Sequence, residues 1–231
     1  MGALMRDLFF APDATLSRIA KRLALMVTLM LSCLIAACAP SMTQRIKVTV
    51  TVEDNGTLYT GSAVQQWTCT ETNNAMGGMS IGGCDLKAEA IPIKIGDKGW
   101  AFMLLSGNEQ DGYDPEYYPG AIQAGRAKSN PKQPWSVPFD KAPIFVRFRD
   151  LKDRMTVELV RPNAFSQAFG KGVALVSIKS EPTNDWLTRG KIKKTLPWIE
   201  SIRSGTFEYN SPENPNGITT QISRANFKWG L

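Results

Sequence analysis

Glu109, Asp111, Asp114 and Glu116 fall within eight residues and are interleaved with Tyr113, Tyr117 and Tyr118. Carboxylates this dense can hold calcium, but their spacing is not that of the EF-hand loop. The same acidic and aromatic mixture suits a sugar or a cationic partner surface. The plainest expectation is a solvated loop, with a ligand or partner contact through Glu109, Asp111, Asp114, Glu116, Tyr117 and Tyr118 as the functional one. A hydrolase built on two acids about 5–9 Å apart across a cleft would draw on Asp114 or Glu116. Other chemistry is narrowed by composition. The chain of 231 residues has no histidine, which removes Ser-His-Asp and Cys-His catalysis and every zinc site that uses imidazole. Gly78-Met79-Ser80-Ile81-Gly82 matches the nucleophile-elbow spacing, but such an elbow needs a helix after it and a histidine elsewhere. Ser129-Asn130-Pro131-Lys132 has a Ser-Lys spacing that works only on one helical face, and Pro131 argues against a helix there. No cofactor and no metal site is expected.

The other reactive groups are four cysteines at 33, 38, 69 and 84. Residues 23–37, LALMVTLMLSCLIAA, form an apolar run of 15 preceded by Lys21-Arg22. A basic flank, an apolar run of this length and small residues at its end are the parts of an export signal. The run closes on Ile35-Ala36-Ala37-Cys38, which resembles the lipobox of bacterial lipoproteins. That resemblance implies a diacylglycerol on the Cys38 sulfur, cleavage after Ala37 and acylation of the new N-terminus. It also implies, from Ala39 rather than Asp beside the lipid cysteine, passage to an outer membrane facing the periplasm. The competing readings are a transmembrane anchor, for which about 20 apolar residues are needed, cleavage at an ordinary Ala-x-Ala site, and lipid on Cys33. The expected organisation is a signal peptide over 1–37, a linker over 38–44 and one β-rich domain over 45–231. With Cys33 removed and Cys38 lipidated, Cys69 and Cys84 are expected to form a disulfide in an oxidising periplasm.

Without residues 1–37 the chain keeps 194 residues, with 23 basic against 19 acidic side chains. That is enough chain for one domain with its own core. The basic excess concentrates between Lys141 and Lys194, where 12 basic residues face 5 acidic ones. Such a run is most simply a solvated face, and otherwise one that meets anionic lipid or another acidic surface. The expected partners are the membrane through Cys38 and an envelope protein, anionic lipid or wall component, and not nucleic acid.

These groups must be positioned mainly by strands. Ile46, Val48, Val50 and Val52 alternate with polar residues, Asp54-Asn55-Gly56 offers a hairpin turn, and 57–69 runs back. Residues 86–95 and 100–105 complete an expected four-stranded meander, with a phase flip at Pro92 that marks a bulge or an edge strand. Residues 106–143 read as a long loop. Strands are expected over 144–149, 155–160, 173–179, 206–209 and 218–222, and helices over 163–169 and 185–194. The fold expected is mainly β, an antiparallel β-sandwich or barrel-like domain with one or two short helices. Phe169 to Ile178, FGKGVALVSI, with Leu196-Pro197-Trp198 downstream, is similar to a group of uncharacterised proteobacterial envelope proteins. That similarity implies a compartment and no particular activity. The expected function is a non-enzymatic binding or structural module of the envelope, with a carboxylate-based envelope hydrolase as the alternative.

Overall fold

The computed structural model describes residues 41–70, 83–106, 134–203, 205–208 and 217–231. Nearly all belong to one unit, Met42–Cys69 with Gly83–Leu231; a second unit, Met1–Ser41 with Thr70–Gly82, falls outside them except at Ser41 and Thr70. In chain order the strands are β1 (Ser41–Asp54), β2 (Thr57–Thr70), β3 (Gly83–Glu89), β4 (Ile91–Ile95), β5 (Gly99–Met103), β6 (Trp135–Ser136), β7 (Phe145–Phe148), β8 (Val157–Val160), β9 (Val173–Pro182) and β10 (Lys228–Trp229). Three short helices join them: α1 (Phe165–Phe169), α2 (Lys191–Thr195) and α3 (Ile218–Gln221). None of the described helices is long and apolar enough to cross a membrane.

The protein is mainly β, as its alternation predicts. A six-stranded sheet has the order β10-β3-β2-β1-β9-β6, and a four-stranded sheet has the order β4-β5-β7-β8. Both are antiparallel, and neither closes into a barrel among the described residues. The β1–β2 hairpin turns at Asn55 and Gly56, both at positive φ (48° and 87°). Two left-handed residues in succession match the strand twist, and Asn and Gly are the residues that tolerate it.

The sheets meet through the apolar phase of the strands. Ile46, Val48, Val50 and Val52 of β1 share a core with Ile91, Ile93 and Ile95 of β4 and with Met103 and Phe145. Gly61 on β2 marks a close approach: a Cβ there would stand 2.5 Å from the Pro92 carbonyl oxygen. The other face of the four-stranded sheet is also covered. Phe102, Val146 and Phe148 pack against Ile192, Leu196, Ile199, Phe207, Ile222 and Phe227. Trp198 meets Phe148 and Phe207 edge-on, with centroids 5.5 and 5.4 Å apart, and its indole N–H donates to the Leu151 carbonyl at 2.7 Å. The Leu196-Pro197-Trp198 segment is thus part of the lid on that face.

Several elements differ from expectation. The 86–95 strand is two strands in different sheets, with the crossing at Ala90 just ahead of Pro92, so the meander is not a single sheet. Pro92 lies on β4, an edge strand, where its missing N–H costs no ladder bond. β1 starts at Ser41, inside the expected 38–44 linker, and Thr43 and Thr68 place their hydroxyls 3.2 Å apart across β1 and β2. Residues 218–221 are helix rather than strand: the Ile222 N–H bonds back to the Ile218 carbonyl at 3.0 Å, and both side chains pack on the core. Of the expected 206–209 strand, Thr206 makes a single bridge to Ser223. The expected 185–194 helix is shortened to α2, for the reason given below. In the described part of the 106–143 loop, β6 pairs with β9, Trp135 opposite Ser180.

Candidate functional site

A cleft of about 600 Å³ opens beside the end of β8, within the volume range of small-ligand sites. One wall is the segment after β6, where Pro138 (φ −62°) leads into a 3-10 turn over Phe139–Lys141. The Lys141 and Ala142 N–H groups donate back to the Pro138 and Phe139 carbonyls at 3.0 and 3.3 Å. Pro143 and Ile144 then carry the chain into β7, with Ile144 N–H on the Ser106 carbonyl at 3.4 Å. The opposite wall is Leu159 and Val160 of β8 and the turn Arg161-Pro162-Asn163, closed by the Ala164 N–H on the Arg161 carbonyl at 2.9 Å. The lining is therefore largely apolar. Asp140, Arg161 and Asn163 are its polar members, and Phe139, 43 % exposed, stands on its wall. This is the arrangement that receives an apolar group and orients it through a few polar contacts. Among the described residues its lining contains one carboxylate and no hydroxyl or thiol nucleophile.

Two further charged arrangements are structural. Glu89, 1 % exposed, accepts from the backbone N–H groups of Gly190 (2.6 Å), Lys191 (2.9 Å) and Ile192 (3.4 Å). These are the donors that the start of α2 leaves free, so the carboxylate caps that helix from a strand about a hundred residues earlier. Both its oxygens are engaged. Gly190 takes φ +80° at the junction, and Thr188 is held to Val64 by two bonds, at 2.8 and 3.1 Å. Those ties stop the helix from extending back to Asp185. The second arrangement joins Glu200 to Arg224 (3.0 Å) and Lys228 (2.9 Å). The Lys228 hydrogen bond and the charges of Lys228, Arg224 and Lys193 hold the Glu200 carboxyl below its ordinary range, against the opposing effect of burial.

The basic run from 141 to 194 is divided by the fold. Arg147 and Arg149 both pair with Glu158, at 2.6 and 2.9 Å, while Lys193 and Lys194 ride on α2. Of the residues singled out by sequence, Cys38 and the group Glu109, Asp111, Asp114, Glu116, Tyr117 and Tyr118 lie outside the described residues, as do both nucleophile-like motifs. Cys69 stands one residue from the end of β2 and Cys84 one residue into β3. These strands are neighbours in the sheet. Among the described residues no three Asp, Glu or Cys side chains gather as a metal site.

The cleft itself was not legible in the sequence. Its one signal is Phe139 flanked by Pro138 and Pro143, an aromatic residue in a segment too proline-rich to belong to a strand. What fold and cleft define is an antiparallel β-sandwich domain with an apolar groove at its flank. Compared with known protein families, curated proteins and solved structures, the chain matches none of them.

Proposed function

We propose that this chain is a bacterial lipoprotein, cut before Cys38, held by lipid on that residue at the envelope, most simply the outer membrane, and facing the periplasm. Its β-sandwich then serves as a non-enzymatic binding module, with the cleft between Phe139 and Pro162 as the site for an apolar group of an envelope ligand or partner. The observation that carries this is the order Lys21-Arg22, apolar run, Ile35-Ala36-Ala37-Cys38, ending three residues before β1 begins. A single acyl chain anchors marginally and several anchor stably, so a triacylated Cys38 would leave the folded domain free to bind. The reading is supported by the largely apolar lining among the described residues, with Phe139, Ile144, Leu159 and Pro162 facing the opening.

The test is expression of the full chain and of Cys38→Ala in a bacterium with two membranes, with fractionation and intact-mass measurement. The native chain should sediment with membranes and carry the mass of its acyl groups, while the variant should be soluble. A membrane-bound variant, or a native protein of unmodified mass, would overturn the lipoprotein reading. In-cell cross-linking from position 139 then tests the cleft, where one reproducible envelope partner is the expected result and the absence of any adduct counts against it.

A further inference from the structure

Trp186 is 85 % exposed, the most accessible of the large apolar side chains among the described residues. Its position is fixed. Before it, the Thr183 N–H donates to the Arg45 carbonyl at 3.1 Å and the Asp185 N–H to the Thr183 hydroxyl at 3.1 Å. After it, Thr188 donates its N–H to the Val64 carbonyl at 3.1 Å and accepts from the Val64 N–H at 2.8 Å. The indole is therefore presented outward on a stretch tied to β1 and β2 on both sides. Among the described residues the Arg45 guanidinium meets the ring, 5.4 Å from its centroid, and the side chain stays 85 % exposed.

The surroundings of Trp186 say what would cover it. Arg45 also reaches the Asp185 carbonyl (3.4 Å), and Lys47 lies 3.6 Å from the Asp185 carboxylate. Arg189 is exposed three residues further on. Arg45, Lys47 and Arg189 thus outnumber Asp185 and Glu181, the latter opposite Lys47 on β9, along the stretch that carries the exposed indole. Tryptophan concentrates where an apolar phase meets water, and at bilayer surfaces it sits at headgroup level, where basic neighbours are drawn to anionic lipid. The chain also limits where that surface can be. Arg45 is seven residues from Cys38, a span of at most about 25 Å, whereas a domain of this length has a radius of gyration of about 16 Å. Chain length therefore keeps Cys38 within about 25 Å of Arg45, whose guanidinium meets the Trp186 ring. A second copy of the same patch would bring like charges together.

We propose that Trp186, flanked by Arg45, Lys47 and Arg189, docks the domain onto the anionic bilayer surface to which Cys38 is tethered. This rests on the lipoprotein reading. It adds an orientation: the side of the sheet carrying Arg45 and Lys47 rests on the membrane, and the domain does not swing freely on its linker.

The test uses the full protein purified from membranes, with its mass measured first, in vesicles of phosphatidylglycerol and phosphatidylethanolamine brominated near the headgroup. The chain has six tryptophans, so the emission of Trp186 is read as the difference between the native protein and Trp186→Phe, with circular dichroism confirming that both are folded. Loss of most of that difference emission to bromine is expected, with a blue shift, and recovery of the emission in wholly zwitterionic vesicles or after Arg45→Gln with Lys47→Gln. A difference spectrum that stays unquenched and water-like in the anionic vesicles would overturn the docking while leaving the lipid anchor intact. Should the mass show no acyl groups, the lipoprotein reading fails separately. Adding the unlipidated protein to the same vesicles then decides the docking by the same quenching, whose absence overturns it. A photo-cross-linker at 186 that captures a protein in cells while the vesicles give no quenching would likewise overturn it.

Discussion

The Glu89 carboxylate on β3 lies 2.6 Å from the Gly190 backbone nitrogen and 2.9 Å from that of Lys191, closing the start of α2 from a strand of the other layer. Lys191 answers in part by donating its ammonium to the Ser62 carbonyl on β2 at 2.7 Å. Glu89→Ala would remove the acceptor of the Gly190, Lys191 and buried Ile192 N–H groups and is expected to cost about 2 kcal/mol, within the range for hydrogen bonds to a charged group. Glu89→Gln keeps one acceptor and should cost less. Urea unfolding of the two variants checks this, and equal stability for Glu89→Ala and the native protein would mean that water replaces the carboxylate.

Glu200 supplies a pH dependence whose sign is fixed by its partners. Lys228 and Arg224 hold its carboxyl below the ordinary value of 4.5 in the folded state. A carboxyl whose folded pKa is depressed contributes stability that is fully present above its unfolded pKa and is lost as pH falls through the folded pKa. The native protein should therefore exceed Glu200→Gln in stability by a constant margin above about pH 5, and that margin should shrink as the pH drops below 4.5. Denaturant titrations at a series of pH values read the difference directly. A margin that grows towards acid would contradict the assignment.

The cleft should accept a probe that joins an aromatic body to an anionic group, such as a naphthalene sulfonate dye whose emission rises on leaving water. Phe139 is 43 % exposed and lies in the lining, so Phe139→Ala removes wall area with little effect on folding. The expected loss is about 1 kcal/mol of dye affinity, roughly fivefold, for partial burial of one aromatic side. Fluorescence titration measures it, and unchanged affinity would place the dye elsewhere.

The disulfide expected from the sequence spacing of Cys69 and Cys84 is open to direct test. Peptide mapping of exported protein without reductant should recover the two cysteines joined. Cys69→Ser should then lower stability by up to about 3 kcal/mol under oxidising conditions, the loop-closure value for this spacing, and change little once the native protein is reduced. Free thiols at both positions would exclude the bond.

Where a segment's partner lies in its own pattern, the sequence was a reliable guide. The alternation from Arg45 to Glu53, the Asn55-Gly56 turn and the stop of α1 at Gly170 all appear as local chemistry predicts. Where two periods coincide, it misled: Ile218 and Ile222 are four apart, which puts them on one face of a strand and of a helix alike. The pocket and the outward indole left almost no trace in one dimension. Phe139 reads as any aromatic in a proline-rich stretch, and Trp186 as one residue of a helix that would have turned it to one side.

Composition and order alone determined the absence of histidine chemistry, the export-like N-terminus and the β class, because each depends on residue types and on spacings shorter than one element. Tertiary structure decided the rest. The chain changes sheet at Ala90, where its N–H is held by the Phe227 carbonyl more than a hundred residues away, and Gly61 on β2 admits the Pro92 carbonyl beside it. α2 starts at Lys191 because Glu89, about a hundred residues away, caps it there. The cleft exists because the turn at Phe139 and the turn at Pro162 flank the end of β8. Contacts made across such distances are set by which apolar faces find each other, and no local spacing encodes that.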